Sequence, residues 1–117
     1  MLKREWQRFW QRCVWSWHGW VHCWREEPSL HQWFWANVVS AGFALGLDLS
    51  TPERALILAL GVLTLAAELM NTGIERAIDY ISEDEHPLAK QAKDAASAGV
   101  AVTGIAAGVA WVVILIG

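Results

Sequence analysis

Three long apolar stretches follow an N-terminal segment dense in tryptophan and arginine. Ala95 to Gly117 runs 23 residues without a formal charge, and Pro28 to Leu47 has none when His31 is neutral. Ala55 to about Ile81 is the third, with its polar groups confined to the far half. About 20 residues at ~1.5 Å each cross roughly 30 Å of hydrocarbon, so each stretch predicts a transmembrane helix. The expected spans are 29–47, 53–81 and 88–117. Ahead of them, Trp6, Trp10, Cys13, Trp17, Trp20 and Trp24 share one helical stripe, with Arg4, Arg8, Arg12 and His22 broadly opposite. That profile predicts an amphipathic helix over residues 1–27 lying in the plane of the membrane interface. Trp15 falls on the basic face instead, where it could stack on a base or pack against a second surface.

Length and charge narrow the class. At 117 residues, 55% of them hydrophobic, the chain reads as one membrane-embedded, all-α domain, 1–117. Five Lys/Arg and six Trp in the first 30 residues leave no signal-peptide core. Eight of the nine basic residues flank one side of the spans, and only Arg54 lies in the other short loop. The imbalance predicts a cytoplasmic N-terminus and 80–94 loop, with the C-terminus outside. A formal charge of −3 identifies no partner, and no nucleic acid is expected. Cys13 and Cys23 lie about 15 Å apart along a helix, too far for a disulfide.

The chemistry concentrates where the second span turns polar. Glu68, Asn71, Glu75 and Asp79 fall within a sector roughly 80° wide without breaking the helical period. Ionisable groups are costly in hydrocarbon, so a one-sided acidic row marks an active site or a pathway. Glu68 should sit just inside the bilayer, suited to accept a proton, with Glu75 about 10 Å further toward water. Glu26 and Glu27 lie at the same depth, and carboxylates meeting there suit Mg²⁺, although alone they form an exposed rim. Lys90, Lys93 and Asp94 open the third span, either as a phosphate site or as a positive-inside anchor. His86 could meet a nucleotide or shape the turn before Pro87. His18 and His22 have an i, i+4 spacing but no third metal ligand in view. No Gly-rich phosphate loop, nucleophile elbow or CxxC pair occurs, so any ATP chemistry uses a different kind of site.

The order Glu68-x-x-Asn71-x-x-x-Glu75-x-x-x-Asp79, followed by His86 and Ala92-Lys93-Asp94, closely resembles the signature of the prokaryotic diacylglycerol kinase family, which includes undecaprenol kinases. The resemblance extends from about Arg8 to the C-terminus, takes in Gly19 and Glu27, and is strongest over 66–100. It implies a homotrimer, MgATP on the cytoplasmic face, and a lipid alcohol entering from the bilayer. Glu68 would then be the catalytic base, and Glu27 and Glu75 would hold the metal with the ATP phosphates. Asn71, His86, Lys93 and Asp94 would form the nucleotide site, with Asp84 and Glu85 in the adjoining loop. Arg8 would lie near the site and serve nucleotide and lipid, while Ser97 and Trp111 occupy positions associated with the lipid substrate. Trp15 stands where relatives have Tyr, so a ring is retained and a hydroxyl is not.

The expected activity is therefore transfer of the γ-phosphoryl group of ATP to diacylglycerol, giving phosphatidic acid, with undecaprenol as the alternative acceptor. A different class remains open, a small oligomeric proton or ion pathway lined by Glu68, Asn71 and Glu75. Against it, Ala55 to Leu63 carries no polar group, so the row does not continue across the bilayer. A packing subunit without catalysis is the third possibility.

Overall fold

Each break in the helical backbone falls beside a proline. The computed structural model describes all 117 residues, Met1–Gly117, as four helices without a strand, as the periodicity predicts. These are α1 (Leu2–Glu26), α2 (Pro28–Gly46), α3 (Thr51–Ile81) and α4 (Pro87–Ile116). Pro28, Pro52 and Pro87 sit in the first turns of α2, α3 and α4, where a missing N–H costs nothing. Ser50 and Glu53 close a reciprocal capping box at the start of α3. Arg54, in the first turn of α3, donates Nε to Ala44 O at 2.8 Å and Nη2 to Leu49 O at 3.2 Å. It therefore satisfies the orphan Ala44 carbonyl in the last turn of α2 and the Leu49 carbonyl of the connecting loop.

α3 is the central helix, packing on α2 at one flank and α4 at the other, while α1 meets only α2 and α3. The molecule measures 48 × 46 × 24 Å. A 30-residue helix accounts for about 45 Å of one long axis, so the second requires α1 to run off sideways from the bundle. That geometry suits a helix lying along an interface, and α1 buries none of its residues. A small apolar core of Ala44, Ile57 and Ala110 lies at the Ser50 end of the bundle, with Leu49, Leu58 and Trp111 packed around it. Two tryptophans bridge α2 and α4: Trp111 Nε1 donates to Ser40 Oγ at 2.8 Å, and the Trp33 ring lies over Gly104.

Only nine of 117 residues are buried, so the apolar side chains of α2, α3 and α4 mostly face outward. α3 and α4 are long and apolar enough to cross a membrane. α2 is not among them: it has 19 residues, and Ser29, His31, Gln32, Asn37 and Ser40 dilute its apolar run. The sequence leads one to expect three spans, and length with composition supports two outright.

A Cβ added at Gly104 would come within 2.6 Å of Trp33 Cη2, a contact that must be relieved by movement. Gly104→Leu is expected to destabilise the bundle by about 1–3 kcal/mol. Trp33→Ala in the same chain should recover part of that loss, as a double-mutant cycle by denaturant titration in detergent would show.

Candidate active site

The polar half of α3 faces inward. Thr64, Glu68, Asn71 and Thr72 are all buried, Glu68 to 3% exposure, while Glu75 is half-buried and Asp79 exposed. The row thus rises from the packed bundle toward its charged end. A buried carboxylate needs a donor. Glu68 obtains one from the first turn of α2, where Ser29 Oγ donates to Glu68 Oε1 at 2.6 Å. One turn further, Asn71 Nδ2 donates to Glu75 Oε1 at 3.3 Å, leaving the buried Asn71 Oδ1 without a partner.

The elbow between α1 and α2 is pinned to the same stretch of α3. Arg76 Nη2 binds Glu27 Oε1 at 2.8 Å and Glu26 Oε2 at 3.1 Å. Its Nη1 lies 3.0 Å from His22 Nε2, which is also 3.4 Å from Glu26 Oε2. His22 is thus engaged with Arg76, and no three His, Cys, Asp or Glu side chains converge as a closed metal site. Pro28 has no N–H to give the Trp24 carbonyl. His31 Nε2 lies 2.6 Å from that oxygen and must be the donor, with its ring against the Trp24 indole at 3.7 Å between centroids.

Beyond the elbow, the 82–87 loop and the first turns of α4 enclose an open cleft of about 690 Å³. Asp84, Glu85, His86, Lys93 and Asp94 line it together with Lys90 and Glu83. Lys93 Nζ contacts Asp79 Oδ1 at 2.6 Å and Lys90 Nζ contacts Asp94 Oδ2 at 2.5 Å, so both ammonium groups are paired with carboxylates. His86 caps α4, its Nδ1 accepting from Leu88 N at 3.1 Å.

Other candidates lie apart. Arg8 pairs with Glu5 on its own helix at 3.3 Å, and Trp15 is 62% exposed. Arg8 is 18 residues before the end of α1, about 27 Å from the elbow along the axis. Ser97 is exposed on α4. Trp111 is 14 residues further on, roughly 21 Å, in the core at the opposite end of the bundle from the charged loop. Ser29 and Arg76 were not identifiable as site residues from sequence. Ser29 is 39 residues from Glu68, and Arg76 is 49 from Glu27. No helical period links such positions.

A family model described as prokaryotic diacylglycerol kinase matches residues 14–115. The chain belongs to that family. The kinase is similar to the diacylglycerol kinase of Pseudomonas aeruginosa, 40% identical over 99 residues, covering 85% of this chain and 80% of the relative. It is 31% identical over 100 residues to the diacylglycerol kinase of Escherichia coli K12, covering 86% and 82% of the two chains. The undecaprenol kinase of Bacillus subtilis is 40% identical over 68 residues, 58% of this chain and 54% of that one. The chain is a lipid kinase with two helices of membrane-spanning length, and its family implies ATP as phosphoryl donor.

The two thiols of the kinase differ in surroundings. Burial pushes the Cys23 thiol above its ordinary value; Arg76 opposes the shift, and Glu27, Glu26 and Glu68 add to it. Cys13 is exposed. A raised pKa lowers the thiolate fraction near pH 8, so maleimide should label Cys13 faster than Cys23. The gap should narrow as the pH rises, which mass spectrometry of the labelled peptides can follow.

Proposed function

We propose that this kinase phosphorylates diacylglycerol to phosphatidic acid at the cytoplasmic face of a bacterial inner membrane. It would work as a homotrimer of three-span subunits, each a single domain with α1 lying on the interface. The observation that carries the reading is the Glu68 carboxylate, buried at 3% exposure and hydrogen-bonded to a hydroxyl, below a charged, water-facing cleft. An alcohol confined to the bilayer and a water-borne triphosphate meet only at such a boundary. The predominantly apolar outer surfaces of α2 and α4 support burial in lipid or against other subunits. The basic residues at the elbow and the 82–94 loop support an N-terminus inside and a C-terminus in the periplasm.

In this reading Glu68 accepts the proton of the lipid hydroxyl while the freed oxygen attacks the γ-phosphorus. The bond to the β-phosphate oxygen breaks and ADP leaves. Phosphoryl transfer needs mainly alignment and charge neutralisation. Bound Mg²⁺ would supply the latter at the phosphates. The donors are hard oxygens: Glu75, Glu27 once it exchanges Arg76 for the metal, and the buried Asn71 Oδ1, which lacks a partner. Two carboxylates with phosphate and water oxygens are a usual Mg²⁺ set, so a closed three-ligand cluster is not required. Lys93 would exchange Asp79 for a phosphate, with Lys90 and Asp94 opening alongside. Asp84, Glu85 and His86 would shape the nucleotide pocket.

Ser97 is open to an acceptor from the lipid side. The indole N–H of Trp111 is taken by Ser40, which leaves its ring to pack on acyl chains. Arg8 and Trp15, reaching about 27 and 17 Å from the elbow of their own chain, favour a site shared with a neighbouring subunit. The likeness to an undecaprenol kinase over 68 residues supports a polyprenol as the second acceptor to test.

Labelled ATP with each alcohol in mixed micelles tests the reading. Diacylglycerol should be turned over faster than undecaprenol. Glu68→Gln should lower kcat by about 10²–10⁴-fold, the usual yield of a positioned base. Failure to phosphorylate either alcohol, or a full rate in Glu68→Gln, refutes it. Glu75→Gln should raise the Mg²⁺ concentration needed for half-maximal rate, measured by titrating the metal at fixed ATP.

A further inference from the structure

We infer that Ser29 is a positioning residue for the reaction, holding one oxygen of the Glu68 carboxylate so that the other faces the acceptor alcohol. The inference rests on the reading of Glu68 as the base. Ser29 Oγ, 2.6 Å from Glu68 Oε1, is the sole side-chain partner of that carboxylate in the chain. Glu68 Oε2 has no protein donor, yet it is not among the enclosed orphan atoms, which are Asn37 Nδ2 and Asn71 Oδ1 alone. One oxygen is therefore anchored and the other is unbonded and not fully enclosed. A carboxylate torsion is soft and roughly two-fold, so without an anchor the group samples orientations that miss the incoming hydroxyl. An anchored base keeps its reactive oxygen on the line of approach before the alcohol arrives.

The anchor itself is held from both sides. Glu27, two residues before Ser29, is tied to α3 through Arg76 at 2.8 Å. His31, two residues after it, is tied to the Trp24 carbonyl that Pro28 leaves free. The Ser29 hydroxyl is not used to cap α2, whose first turn has no side-chain cap hydrogen bond. It is committed to Glu68.

Steady-state kinetics of Ser29→Ala and Ser29→Thr, with diacylglycerol in mixed micelles and saturating MgATP, test the assignment. Ser29→Ala should lower kcat about ten- to a hundredfold while leaving KM for ATP within about twofold, because a mis-aimed base slows the chemical step without touching the nucleotide. Ser29→Thr, which keeps the hydroxyl, should return most of the rate. In a Glu68→Gln background, Ser29→Ala should cost nothing further, since the two groups act as one unit. Thermal unfolding in detergent should place Ser29→Ala modestly below the parent chain, because a buried carboxylate loses its donor, and Ser29→Thr close to it, so the kcat loss is read on folded protein. The assignment falls if Ser29→Ala retains full kcat, if Thr fails to restore it, or if the loss persists undiminished in the Glu68→Gln background. A full rate in Glu68→Gln instead overturns the base reading, so the two failures are told apart.

Discussion

A carboxylate buried in an apolar helix bundle must either find a donor or lose its charge. Glu68 sits at that point in α3, and its partner comes from a separate helix. The chain reaches it by ending α1 at Glu26, turning through Glu27, and restarting at Pro28, so that Ser29 lies in the first turn of α2. The elbow is thus more than a connector between α1 and α2. Its geometry decides whether the one deeply placed acid of the molecule is satisfied and which of its oxygens is left free.

Charge is layered along α3 in a way that follows the same logic. Nothing ionisable lies between Ala55 and Ala67, Glu68 is buried with a neutral donor, and Glu75, Arg76 and Asp79 emerge at the exposed end with charged or amide partners. Neutral hydrogen bonding serves where water is absent, and ion pairing serves where solvent can screen it. The Lys93–Asp79 and Lys90–Asp94 contacts keep two ammonium groups at the lip of the cleft. Such exposed pairs are weak and exchange partners at low cost. That suits groups expected to release a carboxylate and take a phosphate.

Membership of the prokaryotic diacylglycerol kinase family and the local geometry meet at these residues. Family membership makes the chain a lipid kinase. In the proposed reaction the proton goes to Glu68, and the Ser29 hydroxyl holds that acceptor in place.

The amino-acid sequence alone determined whatever depends on local order. Apolar runs, prolines and the capping residues around Ser50 were enough for four helices and their breaks, because helix initiation and termination are decided within a few residues. The inward set of α3, Glu68, Asn71 and the half-buried Glu75, was likewise legible, since a shared face follows from 3.6 residues per turn. Only the tertiary structure decided which helix supplies the donor for Glu68, that Arg76 clamps Glu26 and Glu27, that Arg54 serves the Ala44 carbonyl of α2, and that Trp111 hydrogen-bonds Ser40. Those outcomes turn on the angle at Glu27 and on the order α2–α3–α4 across the bundle. Both are set by how side chains pack between helices, and no periodicity within one helix encodes that.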